Sequence, residues 1–306
     1  MSHPQVLCIM GPTASGKTDL ALKLADELPC DLISVDSAMV YRGLDIGTAK
    51  PDRITLEKYP HALIDICDPT TPYSGAQFRE DALRCIANAL ARQRLPVLVG
   101  GSMMYHHILQ QGIAQLPSAD PDTRHKLQVW ANTAGIEALH DQLQDIDPLA
   151  AKRIHPNDQQ RIFRALEIFF ISGKRLSDYW QEQTLQKPTY TFVTIGLDVE
   201  RALLRERIAQ RFYQMLDNGF MTEVERLYKT PELHNNLPAI KSVGYAQAWA
   251  YYEGKISYDA MVEQIIHITR QCAKRQVTWL RRFPNVHCLQ ADDKKTLRKI
   301  VYYLVK

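Results

Sequence analysis

A glycine-rich segment near the amino terminus has the pattern of a phosphate-binding loop. It reads Gly11-Pro12-Thr13-Ala14-Ser15-Gly16-Lys17-Thr18, which fits G-x-x-x-x-G-K-T. In such a loop the glycines let backbone N–H groups turn inward around phosphate oxygens, and the helix that follows adds its positive end. The Lys17 ammonium neutralises phosphate charge, and the Thr18 hydroxyl can hold Mg²⁺. The segment predicts binding of a phosphate chain but does not name the molecule that carries it.

A carboxylate follows the second predicted strand. Asp36 comes directly after the apolar run that ends at Val35. Ligands of open α/β sheets bind beyond the carboxyl ends of the strands, so we expect Asp36 near the ligand of the loop. Its type and place leave three roles open: a general base, a group near a bound metal, or the N-cap of a helix. Nucleoside triphosphatases with this loop usually carry a Mg²⁺-linked Asp after a later strand, whereas here the run 96–99 is followed by Gly100-Gly101-Ser102.

The elements that position these residues alternate between strand and helix. Such alternation predicts an α/β fold, a P-loop nucleoside-triphosphate-hydrolase-like parallel sheet core flanked by helices, with an inserted all-helical subdomain. The core is predicted at 1–118 and 189–306, and the insertion at 119–188. Predicted strands are 5–10, 31–35, 96–99, 190–197 and 286–289. Predicted helices are 17–28, 78–93, 103–110, 123–134, 158–172, 200–228, 243–253, 257–282 and 292–305.

Charge and cysteine content restrict the class of protein further. Residues 201–306 hold 18 Lys and Arg against 10 Asp and Glu, a balance of +8, whereas residues 1–200 have a balance of −5. The last third is therefore a candidate surface for a polyanion, although a solvated helical face would have the same composition. The six cysteines are scattered and form no C-x-x-C pair, and no apolar run is long enough for a membrane span. We expect reduced thiols, a cytoplasmic location and no membrane contact.

Several longer motifs together resemble one enzyme family. After the loop come Asp36-Ser-Ala-Met-Val-Tyr41, Asp45-Ile-Gly-Thr-Ala-Lys-Pro51, Gly100-Gly-Ser-Met-Met-Tyr105, Gln160-Arg-Ile-Phe-Arg-Ala-Leu-Glu167, Val243-Gly-Tyr-Ala-Gln247 and Thr269-Arg-Gln-Cys-Ala-Lys-Arg-Gln-Val-Thr-Trp279. Their order and spacing over about residues 5–283 are similar to tRNA dimethylallyltransferase (tRNA isopentenyltransferase) of the bacterial type. The loop is common to many families, whereas the second and third motifs and the last one are far more specific.

The resemblance implies a reaction and its cofactors. A dimethylallyl group would move from dimethylallyl diphosphate, the co-substrate, to N6 of the adenosine 3′-adjacent to the anticodon in tRNA, with diphosphate released. Residues 11–18 would then hold the diphosphate of a prenyl donor, with Mg²⁺ at Thr18. In the family an arginine that matches Arg211 assists the leaving group, the acid that matches Asp36 accepts a proton, and a threonine that matches Ser102 assists at the bridging oxygen.

The resemblance also implies a tRNA-binding surface that meets the anticodon stem-loop. An adenosine stacked in that loop must be flipped out to reach a buried donor, and the flanking bases then need contacts of their own. Arg270, Lys274 and Arg281 share one face of the predicted helix 257–282. The complete set of predicted RNA contacts is Asp36, Ser37, Ala38, Met39, Ser102, Arg124, Gln160, Arg161, Ile162, Phe163, Arg164, Lys241, Ser242, Val243, Gly244, Tyr245, Ala246, Arg270, Lys274, Arg275 and Arg281.

Three other functions remain open on sequence. A small-molecule kinase would bind ATP at the same loop, although the missing acid after the third strand and the basic last third disfavour it. A non-catalytic RNA-binding protein could retain such a loop, and a close relative could prenylate free adenine nucleotides. Nothing in the sequence requires more than a monomer.

Overall fold

The computed structural model describes residues 5–114, 116–182, 188–291, 293 and 295–305. The strands are β1 Gln5–Met10, β2 Cys30–Ser34, β3 His61–Ala62, β4 Leu95–Gly100, β5 Thr191–Asp198 and β6 Val286–Gln290. The helices are α1 Lys17–Glu27, α2 Arg53–Lys58, α3 Gly75–Ala91, α4 Met103–Gln111, α5 Pro121–Ile146, α6 Pro148–Arg153, α7 Gln159–Ser172, α8 Leu176–Gln181, α9 Arg201–Asp217, α10 Phe220–Tyr228, α11 Tyr245–Tyr252, α12 Tyr258–Leu280 and α13 Thr296–Val305.

One parallel sheet organises the larger part of the described chain. Its strand order is β3-β2-β4-β1-β5-β6, and every pair of neighbouring strands is parallel. Side chains of a strand alternate between the two faces, so Val6, Cys8 and Met10 join one apolar cluster. Leu7 and Ile9 join another. Both faces of β1 are therefore buried, which explains its continuous apolar sequence. The predicted P-loop-type sheet flanked by helices is confirmed.

The topology brings three sequence-distant segments to one edge of the sheet. The carboxyl ends of β1, β4 and β2 lie side by side because these strands are adjacent and parallel. The glycine-rich loop follows β1, Gly101 and Ser102 follow β4, and Asp36 stands two residues beyond β2. The order of the strands therefore supplies the expected proximity of Asp36 to the loop.

The structure corrects one predicted helix and adds two elements outside the insertion that was predicted to be all-helical. Residues 200–228 were expected as one helix but form α9 and α10, because Gly219 takes a left-handed φ of 96° that ends the run. The short helix α2 and the two-residue strand β3 were not predicted, since neither is long enough to show a periodic pattern. Asp292, the first residue of the predicted helix 292–305, lies outside the described residues.

The chain divides into two compact units. One consists of Met1–Gln110 with Pro188–Lys306, and the other is Gln111–Lys187. The second unit contains α5 to α8 around its own apolar cluster, which includes Leu139, Leu143, Ile162 and Leu166. Helix α5 is kinked at Gly135, whose φ and ψ of 84° and 163° are not helical. The insertion predicted at 119–188 begins eight residues after the start of this unit and ends one residue after its end. Residues 183–187 of that stretch lie outside the described residues.

Two further features bear on the class of protein: the state of the cysteines and the length and polarity of the helices. All six cysteines are free thiols. In the described part of the chain no helix is both long and apolar enough to cross a membrane.

Candidate active site

The glycine-rich loop forms a turn between β1 and α1 whose backbone is unusual at two positions. Gly16 and Ala14 have positive φ values of 82° and 60°. Left-handed positions next to right-handed ones are the backbone geometry from which anion-binding turns of N–H groups are built. The Lys17 Nζ donates to the carbonyl of Pro12 at 2.7 Å, which folds its side chain back over the loop. Ser15 is fully buried, and its Oγ has no hydrogen-bond partner among the described residues.

Two cations converge on this loop from different elements. Burial and, to a lesser extent, the charge of the nearby Arg211 lower the pKa of Lys17 to about 7, although the charge of Asp36 acts in the opposite direction. Burial also lowers the pKa of Arg211, whereas the charges of Asp36 and Asp19 raise it. Concentrated positive charge held away from water is an unfavourable arrangement that a bound polyanion relieves. The pair therefore suits a diphosphate or triphosphate.

Asp36 has one occupied and one available oxygen. Its Oδ1 accepts hydrogen bonds from the N–H of Ala38 at 2.8 Å and of Met39 at 3.2 Å. No helix begins at this point, since the next one starts at Arg53, so Asp36 is not a helix N-cap. The two hydrogen bonds instead close a local turn and fix the plane of the carboxylate. The other oxygen, Oδ2, accepts no hydrogen bond from the described residues. A carboxylate that is oriented but not saturated is suited to accept a proton.

Ser102 stands beside Asp36 across the edge of the sheet. Its Oγ accepts a hydrogen bond from the N–H of Ser37 at 3.1 Å, and its own N–H donates to the carbonyl of Val35 at 3.2 Å. Because the hydroxyl is used as an acceptor, its proton remains available for a ligand oxygen. The turn after β4 and the turn after β2 are thus tied together at the two predicted catalytic residues.

Two adjoining cavities surround these groups. The smaller, of about 80 Å³, is lined by Lys17, Thr18, Asp36 and Arg211 among others. The larger, of about 480 Å³, shares Asp36 and Arg211 with it and also includes Ser102. The remaining wall of the larger cavity is mostly apolar or aromatic, with Tyr41, Tyr73, Tyr105, Ile208, Phe212, Met215, Phe220 and Ile265. This arrangement places a phosphate site next to space suited to a short hydrocarbon or a flat ring.

One wall of the larger cavity is held by a buried carboxylate that the sequence analysis missed. Glu223 accepts hydrogen bonds from the N–H groups of Asp45, Ile46 and Gly47 at 3.0, 2.8 and 3.1 Å. The phenol of Tyr245 donates to the same carboxylate at 2.5 Å. The only sequence signal was a glutamate in the apolar stripe of a helical segment. Glu223 fixes the loop that carries Gly47, Thr48 and Ala49 into the cavity wall.

Lys50 holds the other end of that loop. Its side chain is only 3% exposed, and its Nζ contacts the Tyr41 carbonyl at 3.0 Å and the carboxylates of Asp45 and Asp65 at 2.5 and 2.6 Å. Asp45 and Lys50 therefore hold this loop in its conformation, and Gly47, Thr48 and Ala49 of the same loop line the cavity.

The predicted RNA contacts of the first unit lie in different places. Those that line the two cavities are Asp36, Ser37, Ala38, Met39, Ser102, Lys241, Ser242, Val243 and Gly244. Lys274 and Arg275 line a shallow groove on the outer side of α12 together with Trp279 and Arg282. Arg281 is exposed at the end of α12, whereas the Arg270 guanidinium donates to the Arg205 carbonyl at 3.2 Å. Ala246 follows Tyr245 at the start of α11 and lines neither cavity.

The predicted RNA contacts of the second unit lie on α5 and α7. Arg124 and Arg164 both pair with the buried Glu167, at 2.8 and 2.6 Å, and Arg161 pairs with Asp158. Gln160 is exposed and Phe163 is partly buried. The six residues of this unit that were predicted to contact RNA are Arg124, Gln160, Arg161, Ile162, Phe163 and Arg164.

Two predicted RNA contacts need correction at the level of the side chain. Ile162 is completely buried in the apolar cluster of the second unit, because it lies on the inner face of α7. Tyr245 is completely buried as well, and its hydroxyl is bound to Glu223. Neither side chain is accessible to RNA in this structure.

The oxygen atoms near the loop determine whether a Mg²⁺ ion fits this site. Thr18 and Asp36 line the same small cavity. The described residues contain no group of three or more His, Cys, Asp or Glu side chains suited to a metal ion. Mg²⁺ commonly binds through one or two protein oxygens, substrate phosphates and water, so a single threonine hydroxyl beside a phosphate site fits it.

The fold and the site together define a class of protein. A parallel sheet ends in a P-loop, and the cavity beyond it pairs buried cations with an apolar wall and an oriented carboxylate. Comparison with known proteins narrows the class. Residues 39–283 match the family model described as IPP transferase, and the chain belongs to this family of prenyl transferases.

Solved structures agree with this family. A tRNA isopentenylpyrophosphate transferase from Bacillus halodurans is 36% identical, with a TM-score of 0.73, over 99% of this chain and 96% of that one. A tRNA delta(2)-isopentenylpyrophosphate transferase from Staphylococcus epidermidis is 31% identical, with a TM-score of 0.69, over 99% of this chain and 97% of that one. A eukaryotic dimethylallyltransferase acting on tRNA is 24% identical with a TM-score of 0.79, over 98% of this chain and 77% of that one, and bears on the fold alone. The family match decides against the small-molecule kinase.

Proposed function

We propose that this chain transfers a dimethylallyl group from dimethylallyl diphosphate to N6 of the adenosine 3′-adjacent to the anticodon in tRNA, and releases diphosphate. The observation that carries the proposal is the joining of a phosphate site to an apolar-walled cavity at Asp36, in a member of the IPP transferase family. The names of the two bacterial relatives supply tRNA as the acceptor.

The leaving diphosphate binds on the loop side. As the allylic C–O bond breaks, its electron pair goes to the diphosphate, and negative charge grows on the bridging oxygen. Lys17, Arg211 and the N–H groups of Gly16, Lys17 and Thr18 at the start of α1 stabilise that charge where it develops, and the Ser102 hydroxyl donates to the bridging oxygen. Mg²⁺ held by Thr18 and the phosphates would supply further charge neutralisation when bound. The dimethylallyl group occupies the neighbouring apolar space.

The acceptor nitrogen loses a proton as the new bond forms. The lone pair of N6 is delocalised into the purine ring, which makes the amine a poor nucleophile. The free Oδ2 of Asp36 accepts the N6 proton while nitrogen bonds to the allylic carbon. The two N–H donors on Oδ1 keep the carboxylate plane fixed during this step. The products are the N6-substituted adenosine, diphosphate and a proton carried by Asp36.

The tRNA is bound by cationic and loop residues of both units. Flipping the adenosine exposes its neighbours, which residues 36–39 and 241–244 would contact at the cavity rim. Lys274, Arg275 and Arg281 on the first unit would bind backbone phosphates. Arg124, Gln160, Arg161, Phe163 and Arg164 of the second unit would contact the anticodon stem-loop.

We further propose that the enzyme acts as a monomer in the cytoplasm. Lys17, Asp36, Ser102 and Arg211 of the same chain line the two cavities together, so the proposed chemistry requires no residue from a second copy. A tRNA acceptor and six free thiols both suit a reducing compartment in which tRNA is present.

Mass analysis of nucleosides tests this function. tRNA is incubated with the protein, Mg²⁺ and dimethylallyl diphosphate, digested, and examined for N6-dimethylallyladenosine; omission of the donor is the control. We expect the modified nucleoside in tRNA, located next to the anticodon. Phosphate transfer from ATP to a nucleoside, with tRNA unmodified, would refute the proposal, as would a free adenine mononucleotide that outcompetes tRNA as acceptor.

A further inference from the structure

One polar side chain interrupts the buried face of α12. Gln276 is flanked at i−3 and i+4 by Ala273 and Leu280, which are 2% and 7% exposed, so it lies on the same inward face. A half-buried amide among apolar neighbours is unfavourable unless its donor and acceptor groups are satisfied. Gln276 therefore needs polar partners in the first unit.

Those partners are backbone groups of the two segments that form the site. The Thr13 N–H of the glycine-rich loop donates to Gln276 Oε1 at 2.8 Å. The Gln276 Nε2 donates to the Gly101 carbonyl at 2.9 Å. One amide thus spans the loop after β1 and the turn after β4.

The turn after β4 leaves no room for a larger residue at this contact. A Cβ at position 101 would lie only 2.5 Å from Gln276 Nε2. Glycine at this position therefore permits the close approach of the amide. The cavity-lining residues also include Gln276 on both the phosphate side and the apolar side.

The contacts of Gln276 continue into those of the predicted catalytic residues. Gly101 precedes Ser102, whose Oγ accepts from the Ser37 N–H at 3.1 Å. Ser37 follows Asp36, whose carboxylate accepts hydrogen bonds from the N–H groups of Ala38 and Met39. A continuous series of hydrogen bonds and peptide links therefore runs from Thr13 through Gln276 to Asp36.

We propose that Gln276 is a positioning residue, which fixes the diphosphate loop relative to Ser102 and Asp36. It acts through Thr13 and Gly101 and forms no bond with the reacting atoms. The catalytic part of this inference rests on the proposed function, whereas its effect on diphosphate binding does not. Misplacement of reacting groups by about 1 Å costs about 100-fold in rate, so loss of the amide should have a measurable effect.

Two variants separate the contacts of the amide. Gln276→Met keeps a side chain of similar length but removes both hydrogen bonds. Gln276→Glu keeps an acceptor for the Thr13 N–H, cannot donate to the Gly101 carbonyl when ionised, and adds negative charge beside the phosphate site. Gln264→Ala is the matched control, because Gln264 is exposed on the same helix about 18 Å away along its axis.

The measurements are calorimetric titration with inorganic diphosphate, steady-state prenylation and tRNA affinity. For Gln276→Met we expect diphosphate affinity to fall about 3- to 10-fold and kcat about 10- to 100-fold, with a raised KM for the donor and unchanged tRNA affinity. Gln276→Glu should weaken diphosphate binding more than Gln276→Met, and Gln264→Ala should match the unmodified enzyme.

The outcomes distinguish this inference from the proposed function. Absence of prenylation by the unmodified protein would overturn the proposed function, while the diphosphate titration would still test Gln276. Unchanged diphosphate affinity in Gln276→Met, with kcat reduced only in proportion to lost folded protein, would assign a merely structural role and overturn the inference. A loss confined to tRNA affinity would make Gln276 an RNA contact and would overturn it as well.

Discussion

Two regions of the first unit each contain a lysine and a carboxylate, and they use these charges in opposite ways. At the phosphate site, Lys17 makes one hydrogen bond to the described residues and Asp36 keeps one oxygen free. At the loop of residues 45–50, Lys50 has three oxygen partners and Glu223 accepts from four donors. Lys50 and Glu223, whose hydrogen-bonding groups are fully used, stabilise the backbone of the loop. Lys17 and Asp36 keep unused hydrogen-bonding groups that are available for a ligand.

The difference teaches how a structural charge is told from a chemical one. Burial alone does not separate them, because the Lys50 side chain is only 3% exposed and burial also has the largest effect on the pKa of Lys17. The number of unused hydrogen-bond donors and acceptors does distinguish a structural charge from a chemical one, because a ligand can bind to each unused group next to a cavity. Four substitutions or conditions test this distinction, and they begin with the residue whose loss should matter most.

Replacing Asp36 should have the largest effect. Asp36→Asn retains an Oδ1 that can accept from the N–H groups of residues 38 and 39, but it removes the proton acceptor. We expect single-turnover prenylation to slow by about 10²- to 10⁴-fold with donor and tRNA affinities largely kept. Asp36→Ala, which also removes the hydrogen bonds to the N–H groups of Ala38 and Met39, serves as the comparison. If Asp36→Asn turned over at the unmodified rate, the unused oxygen would have no role in the chemistry.

Replacing Glu223 should affect stability before chemistry. Glu223→Gln places an NH₂ group among N–H and O–H donors, so at least one buried donor loses its acceptor. We expect a loss of about 2–4 kcal/mol in the free energy of unfolding, measured with urea. Tyr245→Phe, which removes one donor from the same carboxylate, should cost about 1 kcal/mol. A Glu223→Gln protein of normal stability but abolished turnover would reverse the assignment of the two regions.

The titration of Lys17 should appear in diphosphate binding. Its pKa of about 7 in the free protein means that it is mostly neutral at about pH 8. A bound anion favours the ammonium, so binding should take up a proton there, and affinity should fall as pH rises from about 7 to about 9. Calorimetry in buffers of different ionisation enthalpy measures this uptake.

Lys17→Arg is the matched variant for that titration. Arginine stays charged over the whole range, so the variant should lose the part of the proton uptake that belongs to residue 17. The ligand's own titration is common to both proteins and cancels in the difference. Equal uptake by the two proteins would show that Lys17 is already protonated before diphosphate binds.

The smallest effect is expected from exposed cations on α12. Lys274 is exposed, so its phosphate contact would be screened by salt. Lys274→Ala should weaken tRNA binding a few-fold and lower the slope of log K against log salt by about 0.7 to 0.9. Lys255→Ala, at another exposed lysine that pairs with Glu253, is the control. A salt slope that is flat in the unmodified protein would exclude the outer side of α12 as the main RNA surface.

Much of the fold was predictable because its signals are local. The apolar runs 5–10 and 96–99 and the turn at 11–18 each identify an element from a few neighbouring residues. Where the local signal was weak, prediction failed: Gly219 splits a continuous helical pattern, and α2 and β3 are too short to show a period.

The sequence by itself determined the phosphate loop and the place of Asp36 at the end of a strand, because both follow from residue type and adjacency. Only the tertiary structure decided that Gln276 joins the loop to Gly101, that Glu223 saturates the N–H groups of residues 45–47, and that Asp36 keeps one oxygen free. Those contacts link residues more than a hundred positions apart or depend on what a neighbour leaves unbonded. The spacing of residues along the chain carries no record of either.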